Sequence, residues 1–438
     1  MKRNKLYVGL ALLVLGVASC KPEIKDFTPA AGGTANFSKY IAVGNSLTSG
    51  FADGGLYREG QQVAFTNLMA QQFKQVGGGE FTTPLFSEAQ ANGSGYIQLE
   101  SLVNGQPVMK QITENLAYRS ASPKLLTKYT DPIQNLGVPG MRLDLAFVPQ
   151  FSSLNMYFER LLPDDQVGKK TYFTYATEHD HTFFSFWLGN NDALGYATNG
   201  AVYNPLDPTT KLTDLATFTG AYQNFINGLT AKGSQGVVAT IPDVTAVPFF
   251  TTVTRAALLA AANAAAKAAN PNAPEIKDIY IATKTTPRAA TDKDYFVLPF
   301  SSAGLLGKPN GANIPYGLHP ANPVADNFVL DEAEAAQVVT RINEFNAAIK
   351  SIAAAKGLAV ADVNTFLTSV KNGIRINGLA VSNKFITGNA FSLDGIHLTP
   401  IGNAIVANVF IDAINSKYGS SVSKVDVSQF RGVKLPEK

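Results

Sequence analysis

Three short polar segments contain the side chains that nucleophilic chemistry at a serine requires. They are Gly44-Asn45-Ser46-Leu47, Gly189-Asn190-Asn191-Asp192 and Asp394-Gly395-Ile396-His397. A serine hydroxyl needs a base within hydrogen-bond reach, and that base needs an orienting carboxylate. Asp394 and His397 are three residues apart and can meet within one turn, so Asp394 could hold the imidazole. The side-chain amide of Asn191 could donate a hydrogen bond to a developing oxyanion.

The first two of these segments follow short apolar runs that we interpret as buried strands. The predicted strands are 40–44, 133–137, 183–188, 236–241 and 358–363, with a hairpin over 96–113 that turns at Asn104-Gly105. The predicted helices are 63–76, 255–270, 331–356 and 400–416. Because strands and helices alternate, we expect an α/β fold with a parallel sheet and helices on both faces. Ligands bind at the carboxyl ends of such strands, which is where Ser46 and Asn191 lie.

The connections after the first and fourth predicted strands are much longer than ordinary ones, which usually run about 2–6 residues. We therefore expect insertions around 80–130 and 250–330 within one domain that spans 39–438. The sequence shows no internal repeat.

Composition excludes several classes of function. The 438 residues are 45% hydrophobic and 16% charged, with 36 Lys and Arg against 33 Asp and Glu. Three of the basic residues lie in the first five positions, so the rest of the chain carries 33 charges of each sign. Zero net charge argues against a nucleic-acid binder that works by bulk electrostatics. A single cysteine, Cys20, excludes disulfides, thiolate zinc sites and a thiol nucleophile within the folded domain.

The N-terminus has the pattern of an export signal. A basic start is followed by the apolar run Leu6 to Gly16, which is too short to span a bilayer comfortably, and by Val17-Ala18-Ser19-Cys20, which resembles a bacterial lipobox. We interpret 1–19 as a lipoprotein signal peptide and 20–38 as a tether whose Cys20 carries lipid. The expected location is the bacterial cell envelope, anchored to a membrane, and the absence of Asp after Cys20 favours the outer membrane. An ordinary signal peptide with an incidental cysteine is the alternative.

Four segments together resemble the ordered sequence blocks of the GDSL esterases and lipases, the SGNH hydrolases. They are GNSL at 44–47, NLGVPG at 135–140, GNND at 189–192 and DGIH at 394–397. The resemblance implies a three-layer α/β/α, flavodoxin-like parallel sheet. It implies Ser46 as nucleophile, His397 as general base and Asp394 as its orienter. It also implies an oxyanion hole made by the backbone N–H groups of Ser46 and Gly140 and the side chain of Asn191, with no cofactor and no metal.

Two departures from the family pattern bear on this site. The aspartate that precedes the serine in the family is Asn45 here, so we expect altered hydrogen bonding in the loop with activity retained. The second block has two glycines. Gly140 has the family spacing from Asn135, but a shift of the loop would give the oxyanion role to Gly137.

Each candidate residue also has a structural interpretation. Ser46 could be a helix N-cap, His397 a satisfied core histidine, and Asn191 a turn residue. These readings do not require the other blocks, whereas catalysis requires all of them.

Other polar residues are less informative. The cluster Glu178-His179-Asp180-His181 precedes its strand and so lies at the edge opposite the active site; a solvated turn is favoured over a metal site. We interpret His319 as a loop residue, with a lid or substrate role as the alternative. Asp243 is interpreted as a turn cap, although it lies near the pocket end.

Two functions remain open from the sequence. The first is an esterase or lipase that hydrolyses O-acyl groups of lipids, acylated glycans or small esters through an acyl-enzyme. The second is a non-catalytic surface lipoprotein, for example a glycan-binding one, on the same fold. The apolar residues 247–250 and the stretch 285–325 could build an acyl pocket or could be packing. Partners are then an ester substrate and the membrane through Cys20, with no nucleic acid.

Overall fold

The computed structural model describes residues 32–103 and 106–436. The predicted signal peptide, Cys20, most of the tether and the Asn104-Gly105 turn lie outside the described residues. Within them, no helix combines the length and the apolar character needed to cross a bilayer.

The described residues form fourteen short strands, most of them outside the central sheet. In chain order they are β1 Tyr40–Gly44, β2 Tyr96–Val103, β3 Gln106–Ile112, β4 Tyr118–Ala121, β5 Lys124–Leu126, β6 Phe183–Trp187, β7 Gln235–Ala239, β8 Tyr280–Ile281, β9 Arg288–Ala289, β10 Tyr295–Phe296, β11 Val329–Leu330, β12 Ala359–Ala361, β13 Ile374–Ile376 and β14 Leu379–Val381.

The α-helices range from single turns to 24 residues. In chain order they are α1 Ser46–Ser49, α2 Arg58–Gln62, α3 Phe65–Lys74, α4 Phe151–Leu154, α5 Met156–Glu159, α6 Tyr172–Glu178, α7 Asn191–Thr198, α8 Leu215–Thr230, α9 Pro248–Thr251, α10 Arg255–Ala269, α11 Leu298–Ala303, α12 Glu332–Ala355, α13 Val363–Lys371 and α14 Pro400–Tyr418.

Four of the predicted strands form the central sheet, in the order β1-β6-β7-β12 with all pairs parallel. Tyr40 pairs with Phe183 and Gly44 with Trp187, so β1 and β6 end at the same level. This confirms the predicted α/β fold with a parallel sheet. The hairpin pairing of β2 with β3 is also present, from Tyr96–Ile112 to Val103–Gln106.

The strand predicted over 133–137 is reduced to a single bridge, which pairs Asn135 with Ala42 of β1 in parallel. The backbone carbonyl of Gln134 accepts from the Ala42 N–H at 2.9 Å, and the Leu136 N–H donates to the Ala42 carbonyl at 2.8 Å. The next bond of a regular ladder, from the Gly44 N–H to the Leu136 carbonyl, is replaced by the Tyr172 hydroxyl, which accepts from the Gly44 N–H at 2.9 Å and donates to the Leu136 carbonyl at 2.8 Å. In chain order the five segments nevertheless lie 2-1-3-4-5 across the sheet, the flavodoxin-like order.

Alternate residues of β6 contact different helices, which identifies the two faces of the sheet. On one face, Trp187 lies edge-on to Phe65 of α3, with ring centroids 5.5 Å apart, and 5.8 Å from Phe410 of α14. On the other face, Phe186 contacts Tyr222 and Phe225 of α8. Helix α12 covers α8, since Phe218 of α8 and Phe345 of α12 stack at 3.7 Å.

The first described residues are fixed to the amino ends of the strands. Thr34 N–H donates to the carbonyl of Tyr418 at 2.9 Å, and Asn36 N–H donates to the side chain of Gln235, the first residue of β7. Lys39, immediately before β1, pairs with Asp180 at 2.5 Å. The described part of the chain therefore joins the fold at the amino ends of the central strands, opposite their carboxyl ends.

Candidate active site

Ser46 is positioned by a tight change from β1 to α1. Asn45 is the N-cap of α1, and its Oδ1 accepts from Leu47 N–H at 3.1 Å, so Ser46 is the first helical residue and is not the cap. Gly44 is needed at this corner, because a Cβ there would lie 2.1 Å from Thr48 Oγ1 and 2.8 Å from the Trp187 carbonyl. The Ser46 side chain is thereby presented at the carboxyl end of β1.

His397 reaches Ser46 from the other end of the chain. Its Nε2 lies 2.9 Å from Ser46 Oγ, and its Nδ1 lies 2.9 Å from Oδ2 of Asp394. Helix α14 begins three residues after His397, capped by Thr399, whose Oγ1 accepts from Gly402 N–H at 3.0 Å. The helix start fixes the segment that carries the imidazole.

Asp394 is surrounded by donors. Its Oδ1 accepts from Ser392 Oγ at 3.1 Å and from the N–H groups of Ile396 and His397 at 2.9 and 2.8 Å. Its Oδ2 also accepts from Gly54 N–H at 2.8 Å. Burial alone would raise the pKa of Asp394, but the charge and hydrogen bonds of His397 and the N–H of Ile396 outweigh it and hold that pKa well below its usual range. The carboxylate stays ionised and can stabilise an imidazolium.

The loop 138–141 lies between β1 and Asn191. Val138 N–H donates to the Gly44 carbonyl at 3.0 Å, and Asn191 Nδ2 donates to the Met141 carbonyl at 2.9 Å. Gly140 adopts φ +77° in this loop, a conformation that favours glycine. The second N–H of the Asn191 amide remains available after the bond to Met141.

The backbone N–H groups of Ser46 and Gly140 have no acceptor among the described residues. The N–H of Gly137, by contrast, donates to the Asn135 side chain. This difference favours Gly140 over Gly137 for the predicted oxyanion role, which stays a prediction.

A buried charged network underlies Asn191, and sequence reasoning missed it. Arg142 Nη1 donates to the Asn191 carbonyl at 2.8 Å, and its guanidinium pairs with Asp144. Asp192 accepts from Leu143 N–H at 2.8 Å and from Thr213 Oγ1 at 3.0 Å. Burial and the charge of Asp144 raise the pKa of Asp192 to about 6, against the opposing effect of Arg142. The only signal in the sequence was the charge of Asp192 directly after Asn191.

A second set of contacts missed from the sequence joins residues 53–57 to the segment before Asp394. Asp53 N–H donates to Ser392 Oγ at 3.0 Å, and the Asp53 carboxylate accepts from Leu393 N–H at 2.9 Å and from Tyr57 Oη at 2.7 Å. Burial raises the pKa of Asp53, and the hydrogen bonds from the Leu393 N–H and the Tyr57 hydroxyl partly offset that rise. Nothing in the local sequence pattern marks this pairing across about 340 residues.

One cavity opens directly beside Ser46. Its polar wall consists of Asn45, Ser46, Asn190 and Asn191, and the rest is apolar. Of the residues 247–250 considered for an acyl pocket, only Val247 lines it, and no residue of 285–325 does. Phe249 instead packs under the catalytic segment, where its N–H donates to the Gly395 carbonyl at 3.0 Å.

The remaining histidines lie away from this site. His181 is buried, with its two ring nitrogens 2.7 Å from the His179 carbonyl and 2.9 Å from the Leu229 carbonyl, so the expectation of a solvated turn was wrong for this residue. His179 contacts the Tyr175 carbonyl. His319 is exposed in a loop, where its Nδ1 accepts from Ala321 N–H. Within the described ranges, no group of three or more His, Cys, Asp or Glu side chains is arranged to hold a metal.

Asp243 is a turn cap, as predicted. Its carboxylate accepts from the backbone N–H and the hydroxyl of Thr245 at 2.9 and 2.7 Å.

Comparison with known proteins gives weak structural neighbours only. No protein-family model matches the chain, and no curated protein matches it. A lipase/acylhydrolase from Enterococcus faecalis is similar at 11% identity, over 88% of this chain and 99% of that one, with a TM-score of 0.33. An extracellular lipase from Streptomyces rimosus is similar at 13% identity, over 85% and 98%, with a TM-score of 0.32. At these TM-scores neither neighbour carries weight for the chemistry of this chain.

Proposed function

We propose that this chain is a serine ester hydrolase that works through an acyl-enzyme formed on Ser46. The observation that carries the proposal is the unbroken hydrogen-bonded series Ser46–His397–Asp394 at the carboxyl ends of the strands. It joins Ser46 and His397, which are 351 positions apart in the chain. A surface binding protein has no need of this alignment. Among the residues that the structure describes, none makes a contact that favours the non-catalytic alternative.

The proposed mechanism requires a particular tautomer of His397. Asp394 accepts, so the neutral imidazole carries its proton on Nδ1 and presents the lone pair of Nε2 to Ser46. Ser46 Oγ attacks the ester carbonyl carbon as Nε2 takes its proton. The carbonyl oxygen becomes an oxyanion, which the N–H groups of Ser46 and Gly140 and the free N–H of Asn191 can stabilise.

The tetrahedral intermediate collapses as His397 returns the proton to the leaving alcohol. A water then attacks the Ser46 acyl ester with His397 again as base, and the carboxylic acid leaves. Since the ground-state carbonyl is a weaker acceptor than the oxyanion, the oxyanion donors act mainly on the transition state.

An organophosphonate probe tests the proposal, because it phosphonylates only an activated serine. We expect labelling of the peptide that contains Ser46 and hydrolysis of p-nitrophenyl acetate by the same preparation. Ser46→Ala should lose both, with a fall in kcat of up to about 10⁶.

The matched control is Ser234→Ala, which also removes one buried hydroxyl. Ser234 Oγ donates to the His181 carbonyl at 2.8 Å, at the amino ends of the central strands and away from Ser46. This variant should retain labelling and turnover. Hydrolysis by a pure Ser46→Ala protein at the wild-type rate would refute the assignment.

We also propose that the chain is exported and anchored to a membrane of the bacterial envelope through lipid on Cys20. This rests on the sequence pattern alone.

A further inference from the structure

The cavity beside Ser46 is built by the segments that follow all four central strands. Leu47 follows β1, Leu194 lies in α7 after β6, Val244 and Val247 follow β7, and Leu367 lies in α13 after β12. Neighbouring strands are about 4.8 Å apart, so the residues after β7 and β12 stand roughly 10–15 Å across the sheet from the serine side. Val247 and Leu367 therefore form the far wall.

The cavity is small. Its enclosed volume is about 40 Å³, and beyond it the cleft is open to solvent. An acyl group with its carbonyl carbon at Ser46 can enclose the first few carbons of its chain there, and a longer chain has to continue into the open part of the cleft.

The far wall is fixed by hydrogen bonds on both sides of Val247. Asn383 Nδ2 donates to the Ala246 carbonyl at 2.8 Å, and Phe249 N–H donates to the Gly395 carbonyl at 3.0 Å. Val244, Val247 and Leu367 are each exposed by less than one tenth. Close-packed walls of this kind resist expansion, because extra methylenes force the surrounding side chains off their preferred rotamers.

We propose that this cavity receives the acyl group of the ester and restricts the protein to short acyl chains of about two to four carbons, from acetyl to butyryl. The inference rests on the proposed function, since it requires an acyl group at Ser46. Val247 and Leu367 are then the residues that set chain length. The far wall is apolar, so it favours unsubstituted chains over charged acyl groups such as succinyl.

The test measures kcat/KM for p-nitrophenyl esters of two, four, six, eight and twelve carbons, each below its micelle-forming concentration. We expect a maximum at two to four carbons and a fall of at least about 10-fold by eight carbons, since one methylene can change discrimination by about 10-fold or more. Val247→Ala and Leu367→Ala should raise the ratio of octanoate to acetate activity about 10-fold. Val247→Phe should lose butyrate and keep acetate.

The control is Val253→Ala, a buried valine that does not line the cavity and should leave the ratio unchanged. Where an alanine variant fails to fold, the chain-length profile of the wild type and of Val247→Phe decides. Ser46-dependent hydrolysis that is greatest at eight or twelve carbons would overturn this inference while the proposed function stands. Absence of Ser46-dependent hydrolysis with every ester would overturn both.

Discussion

The backbone N–H of Gly54 donates at 2.8 Å to Oδ2 of Asp394, the same carboxylate oxygen that lies 2.9 Å from Nδ1 of His397. The segment that follows the nucleophile helix α1 thus contacts the triad carboxylate directly. Residues 44–57 therefore hold both ends of the Ser46–His397–Asp394 series. Gly54 and Asp394 nevertheless lie 340 positions apart in the chain.

Asp53 should act as a positioning residue for this carboxylate. Asp53→Asn keeps an oxygen for the Leu393 N–H but removes one negative charge close to Asp394, the carboxylate that holds His397. The charged or titratable groups that face Asp53 are Asp394, Tyr57 and Arg431, which pairs with Glu59. We expect kcat/KM to fall several-fold and the acidic limb of its pH profile to move to lower pH by on the order of half a unit.

Tyr57→Phe is the matched control for Asp53→Asn, because it removes the 2.7 Å hydrogen bond to Asp53 and leaves the charge. It should lower stability by about 1 kcal/mol without moving the acidic limb. Identical pH profiles for wild type and Asp53→Asn would show that Asp53 serves folding alone.

Asn191→Ala should lower kcat by about 10²–10³ with little change in KM, since removing one oxyanion donor typically costs roughly 2.7–4 kcal/mol in the transition state. Some activity should survive through the N–H groups of Ser46 and Gly140. Steady-state kinetics and melting temperature on one preparation check this.

Asn199→Ala provides the comparison for Asn191→Ala. Asn199 caps the end of the same helix, α7, and its Nδ2 donates to the Val202 carbonyl at 2.6 Å, so the variant also loses one side-chain bond to a carbonyl. It should change melting temperature and leave kcat within a few-fold. If Asn191→Ala behaves the same way, Asn191 shapes a turn and the oxyanion role is wrong.

Stability should depend on pH through Asp192. Its pKa of about 6 in the fold lies above the ordinary aspartate value of 3.8, so the folded state holds the proton more tightly than the unfolded chain. The resulting stabilisation is full below pH 3.8 and is lost as pH rises through 6. We expect the melting temperature of wild type relative to Asp192→Asn to decline between pH 4 and about 7.

Thr213→Val distinguishes the charge of Asp192 from its hydrogen bonds. It removes the 3.0 Å hydrogen bond to Asp192, which lowers the Asp192 pKa, and the bond from Arg142, but it keeps the carboxyl group. The variant should therefore be less stable than wild type and still lose stability as pH rises, with the decline extending to higher pH. A constant difference between wild type and Asp192→Asn across this pH range would contradict the raised pKa.

Cys20 should incorporate a labelled fatty acid, and Cys20→Ala should release the protein from the membrane fraction. The reason is the lipobox-like Val17-Ala18-Ser19-Cys20 with the single cysteine of the chain. Unlabelled wild-type protein, or unchanged fractionation of the variant, would count against anchoring.

The central sheet could be predicted from the sequence because each strand is a short apolar run that ends at a glycine, a proline or a polar segment. Those runs are buried on both faces, so periodicity and burial agree for β1, β6 and β7. The region 133–137 is the exception, since the Tyr172 hydroxyl lies between Gly44 and Leu136 and replaces a hydrogen bond of the regular ladder. Tyr172 is 36 positions away from Leu136 in the chain, so the local sequence pattern does not reveal this contact.

The site could be predicted only in part, for a similar reason. Ser46, Asp394 and His397 lie in motifs whose residue types indicate a serine nucleophile, its general base and an orienting carboxylate. Asp53 and Arg142 do not, because their roles depend on contacts with Leu393 and Asn191, far away in the chain. For the residues 247–250 the sequence leaves pocket and packing equally open, and the contacts of the fold decide: Phe249 and Phe250 are buried in the core.

The entry of the chain at the amino edge of the sheet has a consequence for orientation. Thr34 and Asn36 are fixed at that edge, whereas Ser46 lies at the carboxyl edge, and a five-residue strand between them spans about 17 Å. Whatever is attached ahead of residue 32, a purification tag or a solid support included, therefore joins the fold about one strand length away from the nucleophile and on the side opposite the carboxyl ends of the strands.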